Sequence, residues 1–349
     1  MRDVAIISFV QSSQARDSRN EVEMLIPVVH EAVENSGLAR SEIDFTVSGS
    51  SDYLQGQPFA FVSALDAVGA WPPIVESHVE MDGAWALYEA WIKLQTGEAD
   101  SALVYAFGKG SPSDLDMVVA LQLDPYCVAP LWPDAASLAA LQARAFLEAT
   151  GRGERELAQV AVRSRRDAQG NPNAQRAGEF DVDKLLSEPC VVAPLREHDC
   201  PAPADGSAAL VLVAGDKARG LGDRAAWIRG IDHRIEPQSL GARDLVLSPS
   251  ANLAAQKAGA IGTEFDVAEL HALYTHQELI LREALGLGEG VTINPSGGAL
   301  LANPMMATGL IRIGEVAQRI WQGSARRGLA HATAGPCLQQ NLVCVLEGD

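Results

Sequence analysis

The chain has 349 residues, with 27 Lys plus Arg against 45 Asp plus Glu, a formal net charge of −18. That balance argues against a nucleic-acid backbone or an anionic membrane surface as the main partner. Hydrophobic residues make up 47% and charged residues 21%, enough for a large core, which excludes a wholly disordered chain.

Taken in chain order, the first third alternates strand and helix patterns. Val4 to Val10 reads as a buried strand rather than a signal sequence, because polar residues follow with no small-residue cleavage site. Glu21 to Ser36 predicts an amphipathic helix ended by Gly37. Phe45 to Ser48 and Val75 to Val79 are short strands. Ala84 to Leu94 is an apolar helix closed by Gly97, with Asp82 as its cap. Ala102 to Phe107 is a buried strand. Such alternation predicts parallel pairing and a helix-covered sheet.

From about residue 110 to 203 the pattern is helical, clearest at Ser137 to Ala149 and Glu154 to Arg166. Gly170 to Gln175 is loop chemistry. Ala208 to Val213 returns to a buried strand, and Gly215 to Arg224 connects to the last third. There Trp227 to Ile231 and Val267 to Leu270 are strands, and Glu269 to Leu285 is helical. Val291 to Ile293 is a strand, Gly309 to Gln322 a helix, and Leu342 to Leu346 the closing strand. The expectation is two similar α/β halves, 1–216 and 217–349, with a helical insertion at about 110–203 in the first.

No apolar run reaches the roughly 20 residues of a membrane helix. The cysteines are Cys127, Cys190, Cys200, Cys337 and Cys344, odd in number and without a Cys-x-x-Cys pair. Neither a disulfide framework nor a metal site is expected in this chain, and a cytoplasmic location is. Two Pro- and aromatic-rich stretches, Tyr53 to Phe61 and Asp124 to Pro133, could line a lipid pocket or form a subunit contact; ordinary loop packing is the plainer reading.

Three stretches together resemble the thiolase superfamily, in its lipid-transfer or sterol-carrier branch. They are LAQVAVRSRRDAQGNPNAQ with LLSEPCVVAPLREHDCPAPADGSAALVLV, then FDVAELHALYTHQELILREALGL, then TINPSGGALLANPMMATGLIRIGE. The resemblance implies an α/β fold of five layers, αβαβα, and at least a dimer.

It also implies positions. The segment that carries the family's nucleophilic Cys matches ESHVEMDGAWALYEAWIKLQTGEADSALVYAFGK without a gap. Gly83, Ala86, Leu87, Gly97 and Lys109 hold the register, and the nucleophile position falls on Glu80. The family's Gly-His-Pro falls on Ala302, Asn303 and Pro304, after a one-residue deletion, so Asn303 replaces His. His271 keeps its place ahead of an aromatic, with Tyr274 in place of Phe. The C-terminal Cys position falls near Gly335, two residues before Cys337.

Thiolysis needs a thiolate to carry an acyl group. A carboxylate at position 80 would form a reactive anhydride, so ordinary thiolase chemistry is not expected. Retro-aldol cleavage of a β-hydroxyacyl-CoA passes through the same thioester enolate without a covalent intermediate. The branch includes aldolases that shorten steroid side chains with a separate zinc-ribbon/OB-fold partner, some of which use Tyr.

Glu80, His271, Tyr274 and Asn303 are therefore the catalytic candidates, with Cys337 and His276 secondary. Gly297 and Gly298 are expected to let backbone approach the pocket. The CoA thioester would be substrate, with no covalently bound cofactor. The bland alternatives are a structural carboxylate at Glu80, space-filling His271, Tyr274 and Cys337, and a loop cap at Asn303. As a whole, the chain could instead be a non-catalytic subunit paired with another thiolase-like chain. A third reading is an acyltransferase or thiolase using Cys337.

Overall fold

The structure is a computed structural model, and it describes residues 2–221 and 225–349. The end of the expected Gly215–Arg224 connection lies outside the described residues. The chain opens with β1 (Val4–Gln14), α1 (Glu21–Ser36) and β2 (Phe45–Gly49). Asn20 and Glu23 form a capping box on α1, and Gly37 closes it at φ 73°, a conformation glycine adopts freely. Next come α2 (Asp52–Gln55), α3 (Phe61–Val68), β3 (Glu76–Val79), α4 (Gly83–Thr96) and β4 (Ser101–Lys109).

The insertion holds α5 (Leu115–Leu121), α6 (Ala135–Thr150), α7 (Glu154–Asp167), α8 (Val182–Leu186) and a small β5 (Cys190–Val192), β6 (Leu195–Arg196) hairpin. The long β7 (Pro203–Ala214) and short α9 (Gly215–Arg219) follow. The remaining elements are β8 (Ala226–Ile235), α10 (Pro249–Lys257), β9 (Val267–Leu270), α11 (Thr275–Ala284), β10 (Thr292–Ile293), α12 (Gly298–Leu301), β11 (Asn303–Pro304), α13 (Thr308–Trp321), β12 (Arg327–Ala334) and β13 (Gln340–Glu347).

The strand order is β10-β9-β12-β13-β8-β1-β7-β4-β2-β3. Cut between β8 and β1, this is the same five-strand sheet twice. β1, β7, β4, β2 and β3 correspond to β8, β13, β12, β9 and β10, and each junction has the same sense. The first two are antiparallel and the last two parallel. Among the described residues, the two sheets pair edge to edge at Ala5–Trp227 and Ile6–Ala226.

Three buried clusters define the layers. Between the sheets, α4 and α13 contribute Ala86, Leu87, Leu310 and Ile313 to one core. Outside the first sheet, α1 and α3 pack Leu25, Val28 and Ala64 on Tyr105 and Val211. Outside the second, α10 and α11 pack Ala254, Ile280 and Leu281 on Ala268 and Val343. The result is five layers, αβαβα. A helix buried on all sides needs small residues where neighbours approach. Gly314 of α13 lies under the Phe9 ring, where a Cβ would come within 2.2 Å.

One expected helix is shorter, and one strand lies outside the expected pattern. The helix expected over Glu269–Leu285 begins only at Thr275, so His271 sits in a loop directly after β9. The apolar pattern runs on across a strand, a loop and a helix because all three are buried, and periodicity alone does not separate them. Asp205 and Gly206 lie inside β7. β12 pairs with β9 and β13 although its RGLAHATA sequence is weak in strand-forming residues. In the two aromatic stretches, Phe59 is 71% exposed and Tyr126 88%.

Candidate active site

Glu80 directly follows β3, two residues before the Asp82 cap of α4. In an extended chain alternate side chains share a face. Val79 and Met81 accordingly pack on the core between the sheets, and Glu80 points away from it. Its side chain is 42% exposed rather than buried. Its oxygens are nonetheless engaged. The Asp52 N–H donates to Oε1 at 2.7 Å, and His78 Nε2 lies 3.5 Å from Oε2.

His271 is buried one residue past β9. The Thr333 N–H donates to its Nδ1 at 3.4 Å. Nδ1 is thus an acceptor, and in the neutral ring the proton resides on Nε2. Burial, with His331 and Arg312 adding to it, holds the pKa well below the ordinary imidazole value. The ring is therefore a neutral donor, and among the described residues nothing bonds its Nε2.

Tyr274 is the N-cap residue of α11 and is buried. Burial pushes its phenol up, and Cys200, Asp134, Cys337 and Asp116 push in the same direction. The hydroxyl thus stays protonated and can donate but is a poor base. Asn303 is half-buried on β11, which runs beside the start of β7. Its Oδ1 accepts from the Thr308 hydroxyl at 2.9 Å, which leaves the amide N–H groups as donors.

The secondary candidates are tied into the interior. The Cys337 thiol is buried, donates to the Leu138 carbonyl at 3.4 Å and is pushed up to about 11 by burial. His276 is fully buried against Gln142 Oε1 at 3.2 Å, and burial lowers its pKa to about 3. Gly297 and Gly298 both have positive φ, 95° and 66°. A Cβ on Gly297 would meet that of Ala168 at 2.7 Å.

Glu80 and His271 follow the carboxyl ends of β3 and β9, and Asn303 bonds Thr308 at the head of α13. Among the described residues, no hydrogen bond or ion pair joins any two of Glu80, His271, Tyr274 and Asn303. Asp82 joins the heads of α4 and α13. It caps α4 through Ala84 N–H at 2.8 Å and also accepts from Gly309 and Leu310 N–H, at 2.8 and 3.1 Å, at the head of α13. Gln122, capping α5, donates to Ser51 beside Asp52.

A cavity of about 550 Å³ lies elsewhere, lined among others by Phe9, Gln11, Asn173, Glu315 and Arg319, and holds none of the four primary candidates. Among the described residues, no group of three or more His, Cys, Asp or Glu side chains is arranged to hold a metal ion. Among the described residues, no helix is long and apolar enough to cross a membrane.

No protein-family model matches the chain. The acetyl-CoA acetyltransferase of Methanocaldococcus jannaschii is 27% identical over 356 residues, spanning 92% of this chain and 90% of its own length. The solved Bacillus anthracis acetyl-CoA acetyltransferase superposes with a TM-score of 0.80 over 100% of this chain and 99% of that one, at 17% identity. This chain is thiolase-like.

The thiolase-like chain is also similar to human sterol carrier protein 2, at 26% identity over 299 residues. That match takes in 74% of this chain and 54% of the sterol carrier, so it spans about half of that protein. A solved chain described as an Ltp2-ChsH2(DUF35) aldolase superposes with a TM-score of 0.83 over 99% of this chain and 98% of that one, at 21% identity. In this thiolase-like chain the four candidates are a held carboxylate, a neutral imidazole donor, a protonated phenol and an amide. Its buried thiol at Cys337 is bonded to a carbonyl.

Two residues escaped the sequence reading. Thr333 orients His271, and His78 faces Glu80. Only the second had a visible signal, the His-x-Glu spacing at the end of a strand.

Proposed function

We propose that this protein is a thiolase-fold carbon–carbon lyase that cleaves a β-hydroxyacyl-CoA by a retro-aldol reaction. The acyl group would be a steroid or sterol side chain, and a separate zinc-ribbon/OB-fold protein would be the partner. A base takes the β-hydroxyl proton. The Cα–Cβ bond then breaks, Cβ leaves as a ketone or aldehyde, and the bonding pair passes into the thioester enolate, which is protonated at Cα.

Support for this reading rests chiefly on His271. A neutral imidazole with Nε2–H free to donate suits an enolate oxygen, which gains charge only as the bond breaks. The Asn303 amide supplies a second neutral donor. The Tyr274 hydroxyl is suited to donating a hydrogen bond, and the Glu80 carboxylate to acting as the base. The solved aldolase with a similar fold, whose description names a DUF35 partner, is consistent with this assignment.

The test is direct. The protein, assembled with such a partner, is offered a β-hydroxyacyl-CoA and assayed for a ketone or aldehyde and a shortened acyl-CoA. Absence of cleavage by a correctly assembled complex overturns the proposal.

A second reading, a non-catalytic subunit, is favoured by the 42% exposure of Glu80 and the 87% exposure of Trp71. A surface of that kind suits contact with another thiolase-like chain. Unchanged activity of a complex carrying Glu80→Ala, His271→Ala and Tyr274→Phe would establish it.

A further inference from the structure

β2 and β3 run parallel with Ser48 opposite His78, and β4 places Tyr105 opposite Ser48. Directly opposed residues project from the same face of a sheet. Tyr105, Ser48 and His78 therefore form a row across three strands, on the face that α1 and α3 cover. Glu80, two residues beyond His78, continues the row past the end of β3.

The contacts follow that register. The Ser48 hydroxyl lies 3.0 Å from His78 Nδ1, and His78 Nε2 lies 3.5 Å from Glu80 Oε2. Phe61 of α3 stacks on the imidazole at 4.4 Å between ring centroids and 10° between planes, which limits rotation of the ring. Ser48 is fully buried and His78 half-buried, so the row runs from the interior to the exposed carboxylate.

We propose that His78 is a positioning residue for Glu80, held by Ser48 in the tautomer that donates from Nε2 to the carboxylate. The serine hydroxyl donates to Nδ1, the ring proton sits on Nε2, and Nε2–H points at Glu80. With the Asp52 N–H on the other oxygen, the carboxylate is gripped from two sides. One carboxylate orientation is then selected before substrate arrives, which is what a base aimed at a β-hydroxyl requires. This inference rests on the lyase reading for its catalytic meaning, but the tautomer and the grip do not.

Two measurements keep the two ideas separable. Nitrogen-15 chemical shifts of His78 in the full-length protein, above the pH at which the ring is charged, report the tautomer without any substrate. The expected result is an Nε2–H ring in the wild type and a mixture of tautomers in Ser48→Ala. A predominantly Nδ1–H ring in the wild type overturns the proposal, because an Nε2 lone pair would then face the carboxylate.

In the assembled complex, His78→Phe is expected to lower kcat about 10- to 100-fold with KM within about twofold, in line with loss of orientation rather than of binding. His78→Gln, whose amide can still donate, is expected to recover a substantial part of that loss. If Glu80→Gln abolishes cleavage while His78→Phe leaves kcat unchanged, the positioning role is overturned. If the wild-type complex cleaves nothing, the lyase reading fails and the nitrogen shifts alone decide the arrangement.

Discussion

Asp82, at the head of α4, accepts the backbone N–H of Gly309, at the head of α13, across 2.8 Å and 227 positions of sequence. One carboxylate thus caps the two helices that form the middle layer. The pairing is tight because Gly309 has no side chain; a Cβ there would lie 2.5 Å from Asp82 Oδ1. Loss of the carboxylate would strand three buried donors, so Asp82→Ala should cost about 2–4 kcal/mol of stability. Chemical denaturation of the two proteins at one pH checks this.

The same residue gives a pH dependence. Burial, opposed by three backbone donors, raises its carboxyl from 3.8 to about 6. The folded state then holds the proton more tightly than the unfolded state. This contribution is fully present below pH 3.8 and is lost as pH rises through about 6, by roughly 3 kcal/mol in all. Asp82→Asn removes the titration. Between pH 4 and 7 the stability difference should move in favour of the variant. Denaturation midpoints over that range test the sign, and a constant difference would count against it.

His271 should act without titrating. Burial keeps its imidazole neutral well below the working pH, and Thr333 keeps Nε2 protonated. His271→Ala is expected to lower kcat about 100- to 1000-fold, the size seen for one lost oxyanion donor. His271→Asn, which retains a neutral donor, should lose less. Both should leave the shape of the kcat profile between pH 6 and 8 unchanged, which steady-state assays of the complex would establish.

Tyr274→Phe removes one hydroxyl from an otherwise apolar setting in the second core cluster. If the phenol donates to the reacting group, kcat should fall by roughly 100-fold. The melting temperature should move by only about 2 °C, since no described protein partner is lost. A large stability loss with unchanged kcat would assign the ring to packing alone.

Cys337 should prove dispensable. Its thiol is buried, bonded to the Leu138 carbonyl and pushed up to about 11. Thiolate is the reactive form, so native alkylation should label the exposed Cys127 and Cys190 first and Cys337 slowly. Cys337→Ala should leave cleavage within about twofold. Mass spectrometry of partially labelled protein, paired with the activity assay, tests both statements.

Much of the fold was legible locally. Asn20 and Gly37 bracket α1, and Asp82 and Gly97 bracket α4, because caps and left-handed glycines act within a few residues of the helix they end. Which residues stand at the positions the resemblance points to, Glu80 for a Cys, Asn303 for a His and Tyr274 for a Phe, was also plain, since it is a matter of residue identity. The loop at His271 was not, because a buried strand, loop and helix in succession share one apolar pattern.

The sequence by itself determined most of the long helices and core strands, the caps that end α1 and flank α4, and which chemical groups sit at the candidate positions. Tertiary structure alone decided how those groups are held. The register of β2 against β3 places Ser48 beside His78, and the fold of α2 brings the Asp52 N–H to Glu80. Sheet order brings Thr333 to His271, and packing of α6 brings the Leu138 carbonyl to Cys337. The reason is physical. Periodicity and capping are set within a few residues, whereas these hydrogen bonds span 28 to 199 positions and exist only once strand order and register are set.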